Sequence, residues 1–349
     1  MDQLRIGTLS TARITPPALI DPARFVPRVA VTAVAARNRA DAEAFAAEQG
    51  IAVVHDSYEA LLADPDIDAV YNPLPNSLHG PWTLRAIEAG KHVLCEKPFT
   101  SNAAEAVAVA DAARAAGVMV MEAMHYRYHP LTSLLREQVG KIAGPQEAVR
   151  HIKCDISFPL AGLDDIRYVY ALGGGATMDA GCYGIDLVRL LGPGEPEVVS
   201  ALATEQVPGV DRSMTAYLRF PSGTTAWLDL SFSIGGKFRA DVHVVGDRGQ
   251  VQLQNFMHPY VQHRLVTGQD GQFSVISEQE PPPGAGPEPG AGQGTPAGST
   301  YHHQLLAFAA AVVDGEPFPN TPQHATVTMQ LIDDIYRAAG LPPRGGDPA

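Results

Sequence analysis

Cysteine is scarce: the 349 residues contain three, Cys95, Cys154 and Cys182, an odd number without CxxC spacing. That excludes a disulfide framework and a zinc-finger pattern, and each thiol reads as a small buried hydrophobe. Basic charge is also short, with 25 Lys and Arg against 38 Asp and Glu for a net charge of −13. No basic cluster is long enough to track a phosphate backbone, so nucleic acid is not an expected partner. No apolar run approaches the roughly 18 residues of a membrane span, and the opening Met1-Asp2-Gln3 has no basic leader region. A cytoplasmic protein that meets no membrane is the expectation. The twelve histidines show no spacing such as HExxH, so no metal is expected.

The chain is long enough for two domains with a core each. From Leu4 to about Ala123, short apolar runs alternate with Ala-rich helical stretches, the pattern of βαβ units around a parallel sheet. Strands are expected at Leu4–Leu9, Ala30–Ala36, Ala69–Tyr71, His92–Cys95 and Val118–Met121, and helices at Ala40–Gln49, Ser57–Ala63, Leu78–Ala89 and Asn102–Ala116. Gly50, Gly90 and Gly117 fall where a left-handed residue commonly ends a helix.

Beyond Met124 the segments lengthen and alternate in Val, Thr, Tyr and Phe, as in Val149–Phe158, Met214–Phe220, Thr224–Phe232 and Phe238–Val245. They read as a mostly antiparallel sheet, with helices near Met178–Leu191, Tyr301–Val313 and Ala325–Ala339 to cover one face. The fold class is therefore α/β: a doubly wound Rossmann domain over 1–123, then an α+β domain with a large, mostly antiparallel open sheet over 124–349. Residues 280–299 are Pro- and Gly-rich and too poor in apolar side chains to bury anything, so a flexible loop is expected there.

At the end of the first strand, Gly7-Thr8-Leu9-Ser10-Thr11-Ala12 is a degraded copy of the dinucleotide fingerprint. Gly7 is expected to supply the tight turn and Ala12 the close packing, while Leu9 stands where a glycine usually lets backbone approach the pyrophosphate. An ordinary strand-to-helix turn explains the same residues. The second strand ends in Ala36-Arg37-Asn38-Arg39, without the carboxylate that takes the ribose hydroxyls in an NAD enzyme. A guanidinium there suits a 2′-phosphate, so Arg37, helped by Arg39, points to NADP, with NAD as the alternative. Two solvated arginines at a helix start are the plainer account.

The stretches Val70-Tyr71-Asn72-Pro73-Leu74-Pro75-Asn76-Ser77-Leu78-His79, Glu96-Lys97-Pro98, Met121 to Pro130 and Gly173 to Asp186 occur in order along the chain. Together they resemble the glucose-fructose oxidoreductase/inositol dehydrogenase (Gfo/Idh/MocA) family. Tyrosine at 183, where many members carry histidine, resembles the branch of sugar oxidoreductases and dihydrodiol dehydrogenases. The resemblance implies that Lys97 reaches the nicotinamide and the reacting oxygen, that the Lys97–Pro98 bond is cis, and that Pro73, Leu74, Asn76, His79 and Glu96 contact the cofactor. It also implies that the open face of the second sheet packs against another subunit, giving a homodimer or homotetramer.

Taking hydride from a carbinol carbon requires a base for the hydroxyl proton, and the reverse reduction requires an acid. Lys97, Asp179 and Tyr183 are the candidates. Asp179 and Tyr183 stand four apart in a helical pattern and share a face. A free phenol titrates near ~10, so Tyr183 needs the Lys97 ammonium to exchange protons near neutrality. Asp179 orients a substrate hydroxyl or, alternatively, satisfies the helix start. Asn76 is either a cofactor contact or a helix cap. Tyr126, Arg127 and Arg167 are candidates for the substrate pocket, with surface ion pairs or core packing as the other account. The expected activity is NADP-dependent hydride transfer on a sugar, deoxysugar or related polyol. A trans-dihydrodiol dehydrogenase and a non-catalytic NADP-binding regulator are the alternatives.

Overall fold

The computed structural model describes residues 3–143, 148–160, 162, 164–233, 236–281 and 294–345. They divide into two compact units, Met1–Tyr128 with Gly292–Val327, and His129–Ala291 with Thr328–Ala349. The central part of the expected Pro/Gly-rich loop, 282–293, lies outside the described residues.

A parallel strand is covered by helices on both faces and needs a nearly continuous apolar run. β1 (Leu4–Leu9), β4 (Ala69–Asn72) and β5 (His92–Cys95) meet that demand, with Leu4, Ile6, Leu9, Val70, Tyr71, Val93 and Leu94 fully buried. With β2 (Val29–Ala35), β3 (Val53–His55) and β6 (Val120–Glu122) they form a six-stranded sheet in the order β3-β2-β1-β4-β5-β6. Every pairing is parallel. This is the doubly wound Rossmann order, whose direction reverses between β1 and β4, and ligands bind outside the carboxyl ends at such a reversal. α2 (Arg39–Gln49) starts where Asn38 accepts a hydrogen bond from the Ala40 amide, and α5 (Ala103–Ala116) starts where Asn102 accepts one from Glu105. α3 (Tyr58–Ala63) and α4 (Asn76–Glu88) complete the layers used below.

One expectation fails here. The helix near 301–313, α8 (Thr300–Asp314), does not cover the antiparallel sheet; its Tyr301, Leu305 and Phe308 pack in the first unit's core with Leu4, Ile6, Leu19 and Tyr71. Its apolar face fits the Rossmann sheet, and periodicity alone does not say which sheet a helix joins.

In the second unit eight described strands run in the order β14-β13-β12-β11-β7-β10-β9-β8. These are β7 (Val149–Pro159), β8 (Glu197–Val207), β9 (Val210–Arg219), β10 (Thr225–Ser233), β11 (Arg239–Gly246), β12 (Gly249–Gln254), β13 (His263–Gln269) and β14 (Gln272–Gln279). β7 and β10 pair in parallel and the other pairs are antiparallel. The period of two buries Ile152, Cys154 and Ile156 of β7 and Ala226, Leu228 and Leu230 of β10 on one face. α6 (Pro130–Ala143) and α7 (Cys182–Leu191) pack against it. On the other face Lys153 pairs with Asp155 and Asp229, and Trp227 is 40% exposed. No helix of the described residues is long and apolar enough to cross a membrane.

Candidate active site

The first unit offers a turn at the carboxyl end of β1. Ser10 takes φ +87°, a conformation that side-chain-bearing residues rarely adopt, and its amide donates to Ala35 O at 2.7 Å. The hydroxyls of Thr8, Ser10 and Thr15 are buried and have no hydrogen-bond partner among the described residues. An unmet buried hydroxyl costs about 1–3 kcal/mol, so a strand end, a turn and a helix start that each carry one fit an oxygen-rich ligand such as a dinucleotide pyrophosphate. Leu9 is fully buried as a side chain and has only backbone to offer. Thr11 and Ala12 follow in a half-buried turn, and a single π-helical turn (Pro16–Ile20) with the short α1 (Asp21–Ala23) follows in place of a long helix. Gly7 does not make the turn as expected. It lies within β1, and a Cβ there would stand 2.8 Å from Leu61 Cδ2 of α3, so a side chain at this position would push the Leu61 methyls aside.

Arg37 and Arg39 separate clearly. Arg39 is committed to Glu43 at 2.7 Å and to Asp56, so it is not free to assist at a phosphate. Arg37 is exposed, has no ion pair among the described residues, and lies near enough to Tyr58 for its charge to oppose the rise that burial causes in that phenol's pKa. It is the guanidinium at the end of β2 that is open to an anion.

Beyond β5, buried side chains hold the segment carrying Lys97. Glu96 accepts from the Tyr71 hydroxyl at 2.7 Å through one oxygen and from the Lys97 amide at 3.2 Å through the other. Burial and then the Glu96 charge push the Tyr71 phenol's pKa well up, so it acts as a donor. Glu122 accepts from the Phe99 amide at 3.0 Å. The Lys97–Pro98 bond is cis and the Lys97 side chain is half-buried. Glu96 thus has a bracing role, with one oxygen on Tyr71 and the other on backbone.

The other expected contact residues have neighbours of their own in the protein. His79 is 1% exposed with its ring nitrogens at 2.7 Å from Pro98 O and 2.6 Å from Leu74 O, leaving no polar ring atom for a cofactor. Asn76 is the first residue of α4 and Pro75 stands at the cap, so Asn76 is not the cap. Pro73 and Leu74 are buried in the turn after β4, where the Leu74 amide donates to Asn72 at 3.4 Å. Tyr126 is completely buried, lining no open surface, and Arg127 donates to His324 Nε2 at 2.7 Å.

The second unit brings Asp179, Tyr183, Arg167 and Asp165 together. Asp179 lies in a π-helical turn (Thr177–Gly181) that runs directly into α7, where Tyr183 is 3% exposed. Arg167 Nε donates to Asp179 at 2.7 Å and its Nη1 donates to Asp165 at 3.2 Å. The charge of Asp179, against the cost of burial, raises the guanidinium's pKa further. Arg167 thus serves Asp179 and Asp165 while its side chain stays 43% exposed.

Beneath them lies a hub that sequence reasoning missed. Asp211 of β9 accepts from the amide and hydroxyl of Thr177 at 2.8 and 2.7 Å, from the Tyr336 hydroxyl at 2.9 Å and from Arg344 at 2.9 Å. Arg344 also donates to Gly174 O at 2.6 Å, and both charged side chains are wholly buried. Gly175, at φ +131°, passes so close that any Cβ would collide with Asp211. Burial raises the Asp211 carboxyl's pKa and Arg344 pulls it back. No motif announces this pair, since an arginine near the end of a chain reads as solvated. Among the described residues no three His, Cys, Asp or Glu converge to hold a metal.

Comparison with known proteins agrees in both units. Residues 6–124 match the model of the GFO/IDH/MocA oxidoreductase family with an NAD-binding Rossmann fold, and residues 147–252 match the GFO/IDH/MocA C-terminal domain. The chain belongs to this family. It is 37% identical over 338 residues to D-xylose 1-dehydrogenase (NADP(+)) 2 of Haloferax volcanii, covering 96% of this chain and 97% of that one. It is 38% identical over 264 residues to the dTDP-3,4-didehydro-2,6-dideoxy-alpha-D-glucose 3-reductase of Streptomyces violaceoruber, covering 75% and 76%. Among solved structures, a 3-ketoreductase from Actinomadura kijaniata in complex with NADP and TDP-benzene superposes with a TM-score of 0.82 at 27% identity, over 96% of this chain and 98% of that one.

Proposed function

We propose that this protein is an NADP-dependent oxidoreductase that moves hydride between nicotinamide and the hydroxyl or ketone carbon of a sugar, deoxysugar or related polyol. The observation that carries the reading is the pairing of Asp179 with Arg167 on the helical run that also bears Tyr183. A carboxylate charge-balanced by a guanidinium stays an acceptor, which suits it to fix a sugar hydroxyl. When bound, NADP supplies or accepts the hydride. The chain's residues do the rest: Tyr183 holds or takes the proton on the reacting oxygen, the Lys97 ammonium favours the phenolate, and Asp179 accepts from a neighbouring hydroxyl. Thr8, Ser10 and Thr15 would meet the pyrophosphate and Arg37 the 2′-phosphate.

Tyr183→Phe tests the reading. Turnover should fall by about 10²- to 10⁴-fold, the usual worth of a positioned acid/base, while NADPH binding stays as it was; unchanged turnover would sink the assignment. Aldoses, dTDP-ketosugars and cyclic trans-diols assayed side by side separate sugar oxidation, ketosugar reduction and the dihydrodiol reading. The partly exposed Trp227 and the 75%-exposed Leu202 on the second sheet support a homodimer or homotetramer, which light scattering tests. A cytoplasmic location completes the proposal.

A further inference from the structure

Three backbone groups around Lys97 have side-chain partners: the Lys97 amide meets Glu96, the Phe99 amide meets Glu122, and Pro98 O meets His79 Nδ1. The third contact differs from the others in reach. Glu96 and Glu122 lie next to the segment or on the adjacent strand β6, whereas His79 belongs to α4, which begins just after the Pro73–Pro75 turn. Its other nitrogen faces Leu74 O of that same turn. One imidazole therefore spans two loops at the carboxyl end of the sheet, with each ring nitrogen against a backbone carbonyl.

We propose that His79 is a positioning residue, which fixes the Lys97–Pro98 segment through an Nδ1–H donated to Pro98 O and does not itself touch the cofactor. This rests on the reading of Lys97 given above. Both partners are acceptors, so a neutral ring can donate to one of them and only an imidazolium to both. Burial pushes the ring's pKa down to about 4 against the pull of the two carbonyls. Near neutrality the ring thus carries one N–H, which the proposed role puts on Nδ1. The Asn72 side chain, donating to His79 O at 3.1 Å, fixes the start of α4 beneath the ring.

Two isosteric amides separate the nitrogens. In His79→Asn the side-chain NH2 falls where Nδ1 was and keeps a donor for Pro98 O; in His79→Gln it falls where Nε2 was and keeps a donor for Leu74 O instead. Both remove an aromatic ring from the same buried place, so a purely structural role would affect them alike. The expected result is that His79→Asn holds kcat within about threefold of the wild type while His79→Gln loses about tenfold or more, since small displacements of a reacting group are costly in rate. NADPH affinity should change less than kcat in both. Equal kcat losses, or a better-preserved His79→Gln, would overturn the proposal.

A measurement on the unaltered protein stands if neither variant folds. On titration with NADPH, the ring 15N resonances of His79 should stay nearly in place while the Ser10 amide moves, and a large shift of the His79 ring nitrogens would mean direct cofactor contact. Lys97→Ala is the control for the underlying reading: if it turns over normally, Lys97 is not catalytic, whatever the His79 variants do.

Discussion

In the first unit the Lys97 segment is held by His79 and Glu122, with Tyr71 bracing Glu96, through hydrogen bonds that span 19 to 25 positions of sequence. In the second, the turn before Asp179 is held by Asp211, and Asp211 in turn by Tyr336 and Arg344, across 125 and 133 positions. The first arrangement uses neighbouring strands and the helix between them, so forming the parallel sheet assembles it. The second closes only when β9, the turn at Thr177 and the last described stretch of chain have all come together. A local clamp fails by degrees; a buried hub with a charge on each side fails as a whole.

The sharpest way to break that contrast is Arg344→Met. It leaves the Asp211 carboxylate without its cation in a place of no solvent exposure, and removing one partner of such a pair costs about 3–5 kcal/mol. Urea unfolding followed by hydrogen exchange should show the loss in peptides of the second unit, with β1, β4 and β5 protected as before. The double variant Asp211→Asn/Arg344→Met should be less damaged than Arg344→Met alone. A cost below 1 kcal/mol for the single change would mean that the pair does not hold the Asp179 platform.

Acid should expose what the units share. Each has a histidine whose pKa burial lowers to about 4, His79 in the first and His258 in the second. A base with a depressed folded-state pKa takes up its proton more readily when unfolded. Stability is therefore intact above the ordinary value near 6.5 and is lost as the pH falls from there towards 4, levelling below it. For a shift of this size the loss is about 3 kcal/mol per group. Thermal or denaturant midpoints of the second unit, measured across that window, should decline in the wild type and flatten in His258→Asn. A decline equally steep in the variant would assign it to other groups.

The same division governs what could be read from the sequence. β1, β5 and the parallel, doubly wound class follow from continuous apolar runs and helical punctuation, and Lys97, Asp179 and Tyr183 are visible in motifs read in order. Three-residue β3 escaped because so short a run carries no period. Gly7 was misplaced because it lies within β1, before the residue with positive φ, Ser10, and under Leu61 of another element. His79, Glu96 and Arg167 were recognised as belonging to the site, but that they also hold other protein groups is revealed only by their hydrogen-bond partners. Asp211 and Arg344 were invisible, since pairing two charges across 133 positions has no local signature.

The smallest of the expected effects is the most selective, and it concerns the first unit alone. Arg37 and Arg39 are two positions apart, carry the same charge and are both exposed, so nonspecific electrostatics would treat them alike. Their partners differ: Arg39 already serves Glu43 and Asp56, whereas Arg37 has no ion pair among the described residues. A charge-assisted bond to a phosphate is worth about 1.5–3 kcal/mol, so Arg37→Ala should weaken NADPH by about tenfold or more and leave NADH nearly unchanged. Arg39→Ala should leave both cofactors within about twofold, because exposed ion pairs contribute little. Added salt should narrow the NADPH difference by screening. Neither change should alter the KM for the sugar at saturating cofactor, because the residues proposed to orient it belong to the other unit. Equal NADPH losses in the two variants would reduce Arg37 to part of a diffuse positive field and remove the chain's own argument for NADP over NAD.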